Sequence, residues 1–218
     1  MCDVTNPRPA QPPYYSVVAQ RVVVFLDWQN VYKRARGAFC RETDDNVEGQ
    51  VDPVALAKLL TTRTTGRELT QVRIYRGLPT NKNDPQGYAA NRRHTAAWMR
   101  LRPQPHVYLR PLQYIEGLAP REKGIDVRLA IDLTMMAVYK RYDVGILCSS
   151  DTDLAPALEA VYDLAGKQGG PVAEVASWDG PNTRRKRINA AGDRNVWCHW
   201  LDEDAYGAVQ DRTNYARG

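Results

Sequence analysis

The sequence predicts an α/β fold: a three-layer α/β/α sandwich with a mainly parallel central sheet. Two patterns lead to this prediction. Apolar runs such as residues 21–26 are continuous and rich in β-branched side chains, which is typical of strands buried on both faces. Stretches with helical patterning separate these runs, and strands that alternate with helices form βαβ units in a parallel sheet. With 218 residues, 43% of them hydrophobic, the chain can bury the core that such a fold needs.

The strands are short apolar runs that end in polar residues or turns. The predicted strands cover residues 21–26, 71–76, 106–109, 144–148, 172–176 and 196–201. The clearest helix start is Asp52-Pro53, because aspartate caps a helix and proline fits its first position. The predicted helices cover residues 30–37, 54–62, 88–100, 125–140, 154–165 and 181–191. The helix over 125–140 is apolar almost all round, so we expect it to be buried on more than one side.

One domain is predicted to span most of the chain. Proline and polar residues dominate residues 1–19, which predicts a disordered arm. We expect the α/β domain to cover residues 20–201 and a weakly helical or loose tail to follow over residues 202–218. The sequence has no internal repeat and no Gly- or Ser-rich linker that would divide the chain.

The cysteines and the hydropathy pattern indicate a cellular location. Cys2, Cys40, Cys148 and Cys198 are far apart and form no CxxC pair, so neither a zinc site nor a disulfide framework is indicated. No apolar run approaches membrane-spanning length, and the N-terminal residues do not have the pattern of a signal peptide. We therefore expect a cytoplasmic protein without a membrane partner.

Aspartates follow the predicted strands at the edge where open α/β sheets bind ligands. Asp27 closes the first strand, Asp151 and Asp153 come after the fourth, and Asp126 lies at the start of the helix over 125–140. Because the carboxyl ends of parallel strands share one edge, we expect these side chains to converge. Carboxylates this close repel each other unless a cation lies between them, and an oxygen-only ligand set suits Mg²⁺ or Mn²⁺ rather than Zn²⁺. Such an ion can activate a water and stabilise charge on a phosphodiester.

Each aspartate also has a structural alternative. Asp126 and Asp151 could cap the helices that follow them, and Asp153 suits the first turn of a helix. Asp27 is harder to explain in this way, because an aspartate at the end of a buried strand needs a partner.

Neighbouring polar residues are predicted to support the site. Asn30 would project beside Asp27 and orient its carboxylate or a metal-bound water, or it could stabilise the turn. Ser149 and Ser150 precede a helix N-terminus, where hydroxyl and N–H groups favour a phosphate, although serine is also an ordinary cap there.

Asp132 is the ambiguous carboxylate. It comes six residues after Asp126, about 240° around the helix, so it cannot share that residue's face. Its neighbours along the helix are apolar, and Arg128 lies one turn earlier, where it could neutralise the carboxylate. We interpret Asp132 as part of a structural ion pair, with a supporting role near the site as the alternative.

Basic residues are concentrated in two parts of the chain. The net charge is +5, and no acidic residue occurs between Asp84 and Glu116. A second basic run covers residues 184–187. Either run could be a solvated face, but both together in a chain with an acidic site favour a surface that follows phosphates. The residues predicted to contact nucleic acid are Arg92, Arg93, Lys123, Arg184 and Arg185.

Three blocks of sequence resemble the NYN domain, a branch of the PIN-like nucleases. They cover residues 25–30, 123–132 and 142–154, and the order and spacing of the last two are the specific part. The resemblance extends over about residues 20–180 and implies a PIN-like, Rossmann-like sandwich whose acidic Mg²⁺ or Mn²⁺ site hydrolyses RNA. By matching position, the catalytic and metal-binding carboxylates would be Asp27, Asp126, Asp151 and Asp153.

The resemblance favours one function and leaves a second open. The favoured function is a metal-dependent endoribonuclease acting on single-stranded or structured RNA. The family commonly has glycine before the DxD pair and phenylalanine after it, where this chain has Ser150 and Leu154. A catalytically weak or inactive PIN-like module that binds RNA or a protein partner therefore stays open. A haloacid-dehalogenase-like phosphatase is disfavoured, because its second acid would fall on Gln29. A monomer and a homodimer both fit the sequence.

Overall fold

The computed structural model describes residues 18–45, 47–168, 170–192 and 194–217. The arm predicted over residues 1–19 therefore lies almost entirely outside the described residues. Helices and strands alternate as the sequence predicts. In chain order they are β1 (Gln20–Asp27), α1 (Trp28–Phe39), α2 (Pro53–Thr62), β2 (Arg67–Leu78), α3 (Pro85–Trp98), β3 (His106–Pro111), α4 (Ile125–Val138), β4 (Val144–Cys148), a 3₁₀ turn (Thr152–Leu154), α5 (Ala155–Gln168), β5 (Val172–Trp178), β6 (Cys198–Leu201) and α6 (Glu203–Val209).

The strands form one six-stranded sheet in the order β3-β2-β1-β4-β5-β6, and each neighbouring pair is parallel. β1 pairs with β2 on one side and with β4 on the other, so the direction of strand succession reverses between β1 and β4. Open α/β sheets bind ligands at the carboxyl ends of strands beside such a switch point. Asp27 ends β1 and Ser149 follows β4, so both lie at this point.

Alternate residues of β1 point to opposite faces of the sheet and into two separate cores. Val22, Val24 and Leu26 pack with α1, α2 and α6, whereas Val23 and Phe25 pack with α4 and α5. Each of these side chains is at most 1% exposed. The molecule is therefore a three-layer α/β/α sandwich, and burial on both faces explains why the apolar run of β1 is continuous.

The helix predicted over residues 181–191 is wrong, because these residues, all of them described, form no helix. The segment is basic and mostly exposed, and Ile188 is its one buried residue. A helix here would have no apolar face to pack against the domain. The backbone bonds to the domain instead, since Lys186 O accepts a hydrogen bond from Ser177 Oγ at 2.6 Å.

The tail predicted to be weakly helical or loose contains the helix α6, and the described part of it packs against the domain. α6 contacts α2 and β6 and places Tyr206 and Val209 in the core. Asp202 caps this helix, because its side chain accepts a hydrogen bond from Ala205 N–H at 2.9 Å. The sequence signal that marks this helix is the aspartate cap followed by apolar residues one helical turn apart.

Asp132 lies at the centre of an ion-pair network between β2 and α4. Its Oδ2 accepts hydrogen bonds from Arg73 Nη2 at 2.7 Å and Tyr75 Oη at 2.8 Å, and its Oδ1 accepts from Arg128 Nε at 3.0 Å. Burial raises the pKa of Asp132, but these three hydrogen bonds outweigh burial and hold the pKa below its ordinary value. The predicted pair with Arg128 is confirmed. The supporting role near the site stays a prediction.

We expect Asp132→Asn to lower the free energy of unfolding by about 2–3 kcal/mol, because it leaves charged donors facing an amide in a site that is 9% exposed. Urea denaturation followed by circular dichroism measures this change. The matched control is Asp143→Asn, whose pair with Arg21 is 41–45% exposed. The control should cost less than about 1 kcal/mol. Equal losses in the two variants would contradict a structural role of the Asp132 network.

Candidate metal centre

The carboxylate of Asp27 connects the carboxyl ends of β1 and β4 to the start of α1. Asp27 is the last residue of β1 and is 4% exposed. Its Oδ1 accepts a hydrogen bond from Asn30 N–H at 3.2 Å and so caps α1, while its Oδ2 accepts from Ser149 Oγ at 2.8 Å. This cap starts α1 at Trp28, before the predicted start at Asn30.

The polar residues after β4 form a second set of hydrogen bonds. Asn30 Oδ1 accepts from both Ser150 N–H at 3.1 Å and Ser150 Oγ at 3.2 Å. Ser149 Oγ accepts from Asp151 N–H at 3.0 Å, and Asp151 Oδ1 accepts from Asp153 N–H at 3.1 Å. The structure thus brings Asn30, Ser149 and Ser150 together at the predicted edge. It also shows the capping role of Asp151, which leaves the metal role of that residue a prediction.

Electrostatic interactions join the predicted aspartates into one cluster. The pKa of Asp27 is raised to about 7. Burial is the largest cause, the charge of Asp126 adds to it, and the hydrogen bonds from Ser149 and Asn30 act in the opposite direction. Burial also raises the pKa of Asp126, and the charges of Asp151 and Asp153 add to the effect. Asp126 therefore interacts with carboxylates at the ends of both β1 and β4. The metal-binding role that the sequence predicts for these aspartates stays a prediction.

Glu122 belongs to this acidic cluster, and sequence reasoning missed it. Its Oε1 accepts a hydrogen bond from Gly77 N–H, at the end of β2, at 2.6 Å. Burial raises the pKa of Glu122 and the charge of Asp126 raises it further, against the Gly77 hydrogen bond and the charges of Lys33 and Arg76. No strand or helix end in the sequence marks Glu122, because it lies in the loop between β3 and α4. We use "acidic cluster" below for Asp27, Glu122, Asp126, Asp151 and Asp153.

The acidic cluster has the ligand atoms that a divalent cation prefers, but its side chains do not form a complete coordination site. Within the described part of the chain, no three His, Cys, Asp or Glu side chains lie close enough together to hold one ion. All ligands of the cluster are carboxylate oxygens, which suit the hard ions Mg²⁺ and Mn²⁺. Mg²⁺ commonly keeps several waters and binds through one or two carboxylates, so it does not need a complete protein cage. The donor set therefore fits a partly hydrated ion.

The predicted nucleic-acid contacts on α3 differ in their surroundings. Arg92 and Arg93 are both exposed. Arg93 donates from Nε to Tyr215 O at 2.8 Å and from Nη2 to Ala216 O at 3.2 Å. Arg93 therefore holds the segment after α6 against α3. A role of Arg92 in RNA binding stays a prediction.

The second basic run is also partly engaged within the molecule. Arg185 pairs with Asp179, and its guanidinium carbon lies 4.6 Å from the centre of the Trp200 ring. Arg184 and Lys123 are exposed. Of these residues, Lys123 comes close to the acidic cluster along the chain, next to Glu122.

Comparison with known proteins decides the family. A family model described as the NYN domain matches residues 21–193. The chain belongs to the NYN domain family. The NYN match includes β1 to β5 and the whole acidic cluster, whereas α6 and the residues after it lie outside. NYN domains are a branch of the PIN-like nucleases, so the predicted family is confirmed.

The NYN domain also resembles a solved structure. A crystal structure of a protein of unknown function from Vibrio parahaemolyticus RIMD 2210633 is 19% identical, with a TM-score of 0.50. The alignment covers 87% of this chain and 97% of that chain. At this identity the likeness supports a shared fold alone. No curated protein matches the chain. Among the described residues, no helix is long and apolar enough to cross a membrane.

In metal-free protein, we expect Asp27→Asn to become more stable relative to wild type as the pH rises. The pKa of Asp27 is raised from 3.8 to about 7, so the folded protein keeps a proton that the unfolded chain loses in this range. Wild type therefore loses stability between these pH values, by up to about 4 kcal/mol at roughly 1.4 kcal/mol per pH unit. Asn at this position does not titrate.

The measurement is urea denaturation of both proteins in EDTA at several pH values from 4 to 8. The difference between the two free energies removes the contributions of the other titrating groups. A difference that stays constant with pH would contradict the raised pKa of Asp27.

Proposed function

We propose that this NYN domain is a metal-dependent endoribonuclease that hydrolyses RNA phosphodiester bonds at the carboxyl edge of β1 and β4. The observation that carries the proposal is the mutual interaction within the acidic cluster. Asp126 interacts with Asp27, Glu122, Asp151 and Asp153, although these residues come from different parts of the fold. A partly buried acid whose pKa is raised by the charges of neighbouring carboxylates is typical of a site that receives a cation.

The residues of the acidic cluster would hold Mg²⁺ or Mn²⁺, in part through water. When bound, the ion would activate a water and offset the charge that develops on the phosphodiester. The chain itself positions the ligands. Each oxygen of Asp27 accepts one hydrogen bond, from Asn30 or Ser149, and has a second lone pair that faces no described donor. Asn30 and Ser149 thereby set the direction of the Asp27 carboxylate, as outer contacts do in metal sites.

Two exposed cations near the start of α4, Lys123 and Arg110, would contact the RNA backbone. Lys123 and Gly124 precede this helix, and Gly124 has a φ of 76°. A Cβ atom on Gly124 would lie 2.8 Å from Arg110 Nη1, so glycine lets this guanidinium approach the helix start. Asp126 follows two residues later. A phosphate held by Lys123 and Arg110 would therefore lie next to the acidic cluster.

The second candidate function is a PIN-like module that binds RNA or a protein partner without cutting. Two observations favour it. No three potential ligands converge in the described part of the chain, and Ser150 and Leu154 stand where the family commonly has glycine and phenylalanine. Both replacements are part of the packing, since Ser150 donates to Asn30 and Leu154 is 1% exposed. Activity measurements separate the two candidates.

We expect purified protein to cleave single-stranded RNA in the presence of Mn²⁺ and to lose this activity in EDTA. Asp126→Asn and Asp151→Asn should each reduce the cleavage rate by about 100-fold or more, because each removes a carboxylate from the ion. Gel electrophoresis of end-labelled RNA measures the rate.

The charge-matched control for cleavage is Asp143→Asn. Asp143 pairs with Arg21 at the amino end of β4, on the opposite edge of the sheet, so this variant should cut at the wild-type rate. Cleavage that continues unchanged in Asp126→Asn, or its absence from wild type over a range of RNAs and of Mn²⁺ concentrations, would reject the nuclease. RNA retention without cleavage would support the binding module.

We expect Gly77→Ala to weaken Mn²⁺ binding by about tenfold, because it moves a carboxylate of the acidic cluster. A Cβ atom at position 77 would lie 2.6 Å from Glu122 Oε1 and would also contact Leu112, so Glu122 must leave its hydrogen bond to Gly77 N–H. Electron paramagnetic resonance of free Mn²⁺ measures the binding. Gly166→Ala in α5 is the control, since its Cβ would meet no atom within 4 Å. Equal Mn²⁺ affinity in both variants would show that Glu122 does not bind the ion.

A further inference from the structure

A cavity of about 430 Å³ lies directly beside the acidic cluster. Glu122 belongs to both, and Trp28, which follows Asp27, lines the cavity. The other walls come from α3, the end of β2 and residues 214–216. The volume lies in the range of about 300–1,000 Å³ that is typical of small-molecule sites, and one nucleotide fits within it.

The exposed surface of the lining is mostly apolar, although the charged residues Lys33, Asp45 and Glu122 also line the cavity. Trp28 and Tyr32 contribute from α1, Pro79 and Leu112 follow β2 and β3, and Tyr215 contributes from the segment after α6. Flat and apolar walls of this kind suit the faces of a nucleobase, because stacking of a base on aromatic side chains is favourable for every base. The shape alone therefore indicates a base but does not select one.

Arg76 is the charged group that would select the base. It lies near the end of β2 and lines the cavity. Within the described part of the chain, no carboxylate lies within 4.0 Å of its guanidinium, and its one hydrogen bond joins Nη1 to His94 Nδ1 at 3.1 Å. Burial lowers the pKa of Arg76 to about 10, so the side chain stays protonated. Arg76 is partly exposed, its guanidinium carbon lies 5.4 Å from the centre of the Trp98 ring, and the charge of Glu122 acts on it. A guanidinium without a direct ion pair still favours a ligand that supplies acceptor atoms.

His94 holds Arg76 in place. Burial and the charge of Arg76 lower the pKa of His94 to about 3, so the imidazole is neutral. Because a guanidinium only donates, His94 Nδ1 accepts and Nε2 carries the proton. The ring of Tyr215 stacks on His94 with centroids 4.1 Å apart. Arg76 therefore keeps one donor on His94, and its remaining donors are available to a ligand in the cavity.

Asn91 supplies the complementary acceptor. It lines the cavity, and its Nδ2 donates to Gly87 O at 2.8 Å. Its Oδ1 is buried and has no hydrogen-bond partner among the described residues. The cavity thus combines donors on Arg76 with an unused acceptor on Asn91. Among the bases, guanine presents two acceptors, O6 and N7, which arginine binds as a pair, together with N1–H and N2–H donors. Adenine would present its N6 donor to Arg76.

We propose that this cavity is a guanine-binding subsite, in which Arg76 donates to guanine O6 and N7, Asn91 Oδ1 accepts from the base, and the aromatic walls cover its faces. The inference deepens the proposed function, because it assumes that RNA passes the acidic cluster. Glu122 joins the cavity to the cluster, so the guanosine lies next to the phosphodiester bond that is cut. The subsite gives the enzyme a preference for cleavage beside guanosine.

The test measures the binding of mononucleotides to wild-type protein in EDTA by isothermal titration calorimetry. GMP should bind at least about tenfold more tightly than AMP, CMP or UMP, since paired contacts to guanine discriminate by about 1–3 kcal/mol. The nucleotides share their phosphate, so the difference reports the base. Equal binding of all four, or competition by inorganic phosphate as effective as by GMP, would overturn the subsite.

A variant that fills the cavity tests the location of the subsite and leaves its polar side chains in place. Ala90→Leu in α3 places a larger side chain in the cavity and should abolish GMP binding. Ala96→Leu, at an exposed position of the same helix, is the control and should bind like wild type. Thermal melting verifies that both variants fold. Unchanged GMP binding by Ala90→Leu would contradict the location of the subsite.

Because nucleotide binding is measured in EDTA, its result does not depend on whether the protein cleaves RNA. RNA cleavage without a preference for GMP would retain the nuclease and reject the guanine subsite. A preference for GMP without cleavage would retain the subsite and reject the nuclease. If both hold, mapping of the cleavage products should place the cuts beside guanosines.

Discussion

The site depends on the carboxylate of Asp27, which joins three elements through two hydrogen bonds. One oxygen starts α1 by accepting from Asn30 N–H, and the other accepts from Ser149 at the end of β4. Because β1 lies between β2 and β4 in the sheet, these bonds fix the edge of the sheet near which the charges of the other carboxylates in the acidic cluster act on one another. The contacts also explain how a buried carboxylate is tolerated, since burial without them would be costly. The same residue thus stabilises the fold and orients a ligand of the proposed site.

Most of the fold could be predicted from the sequence, because parallel strands buried on both faces have continuous apolar runs. Asp27 could be found for the same reason, since it ends β1, whereas Asp126 and Asp151 could be found because each lies at the start of a helical segment. Glu122 could not, because it joins the cluster from an irregular loop through Gly77, which is 45 residues away in sequence. The helix predicted over residues 181–191 was wrong for a related reason. Residues that favour a helix do not form one where the segment has no apolar face to pack against the domain.

Basic residues show the limit of charge as a predictor of function. Arg93 and Arg185 were predicted to contact nucleic acid, yet both make contacts within the molecule. Arg76 was not singled out, because it lies inside the apolar pattern of β2 and its lack of a direct ion pair follows from tertiary packing alone. A count of charges cannot distinguish a guanidinium that holds the chain together from one that lacks an ion pair. That distinction needs the partners of each side chain.

The segment over residues 214–216 has a consequence for how the molecule is organised. It forms one wall of the cavity and is held there by Arg93, but it lies outside the part of the chain that matches the NYN family. The acidic cluster lies wholly inside that part. The residues proposed for chemistry and part of the surface proposed for recognition are therefore encoded in separate segments. Exchange of a short C-terminal segment could change the preferred base while the carboxylates and the sheet that carries them stay the same.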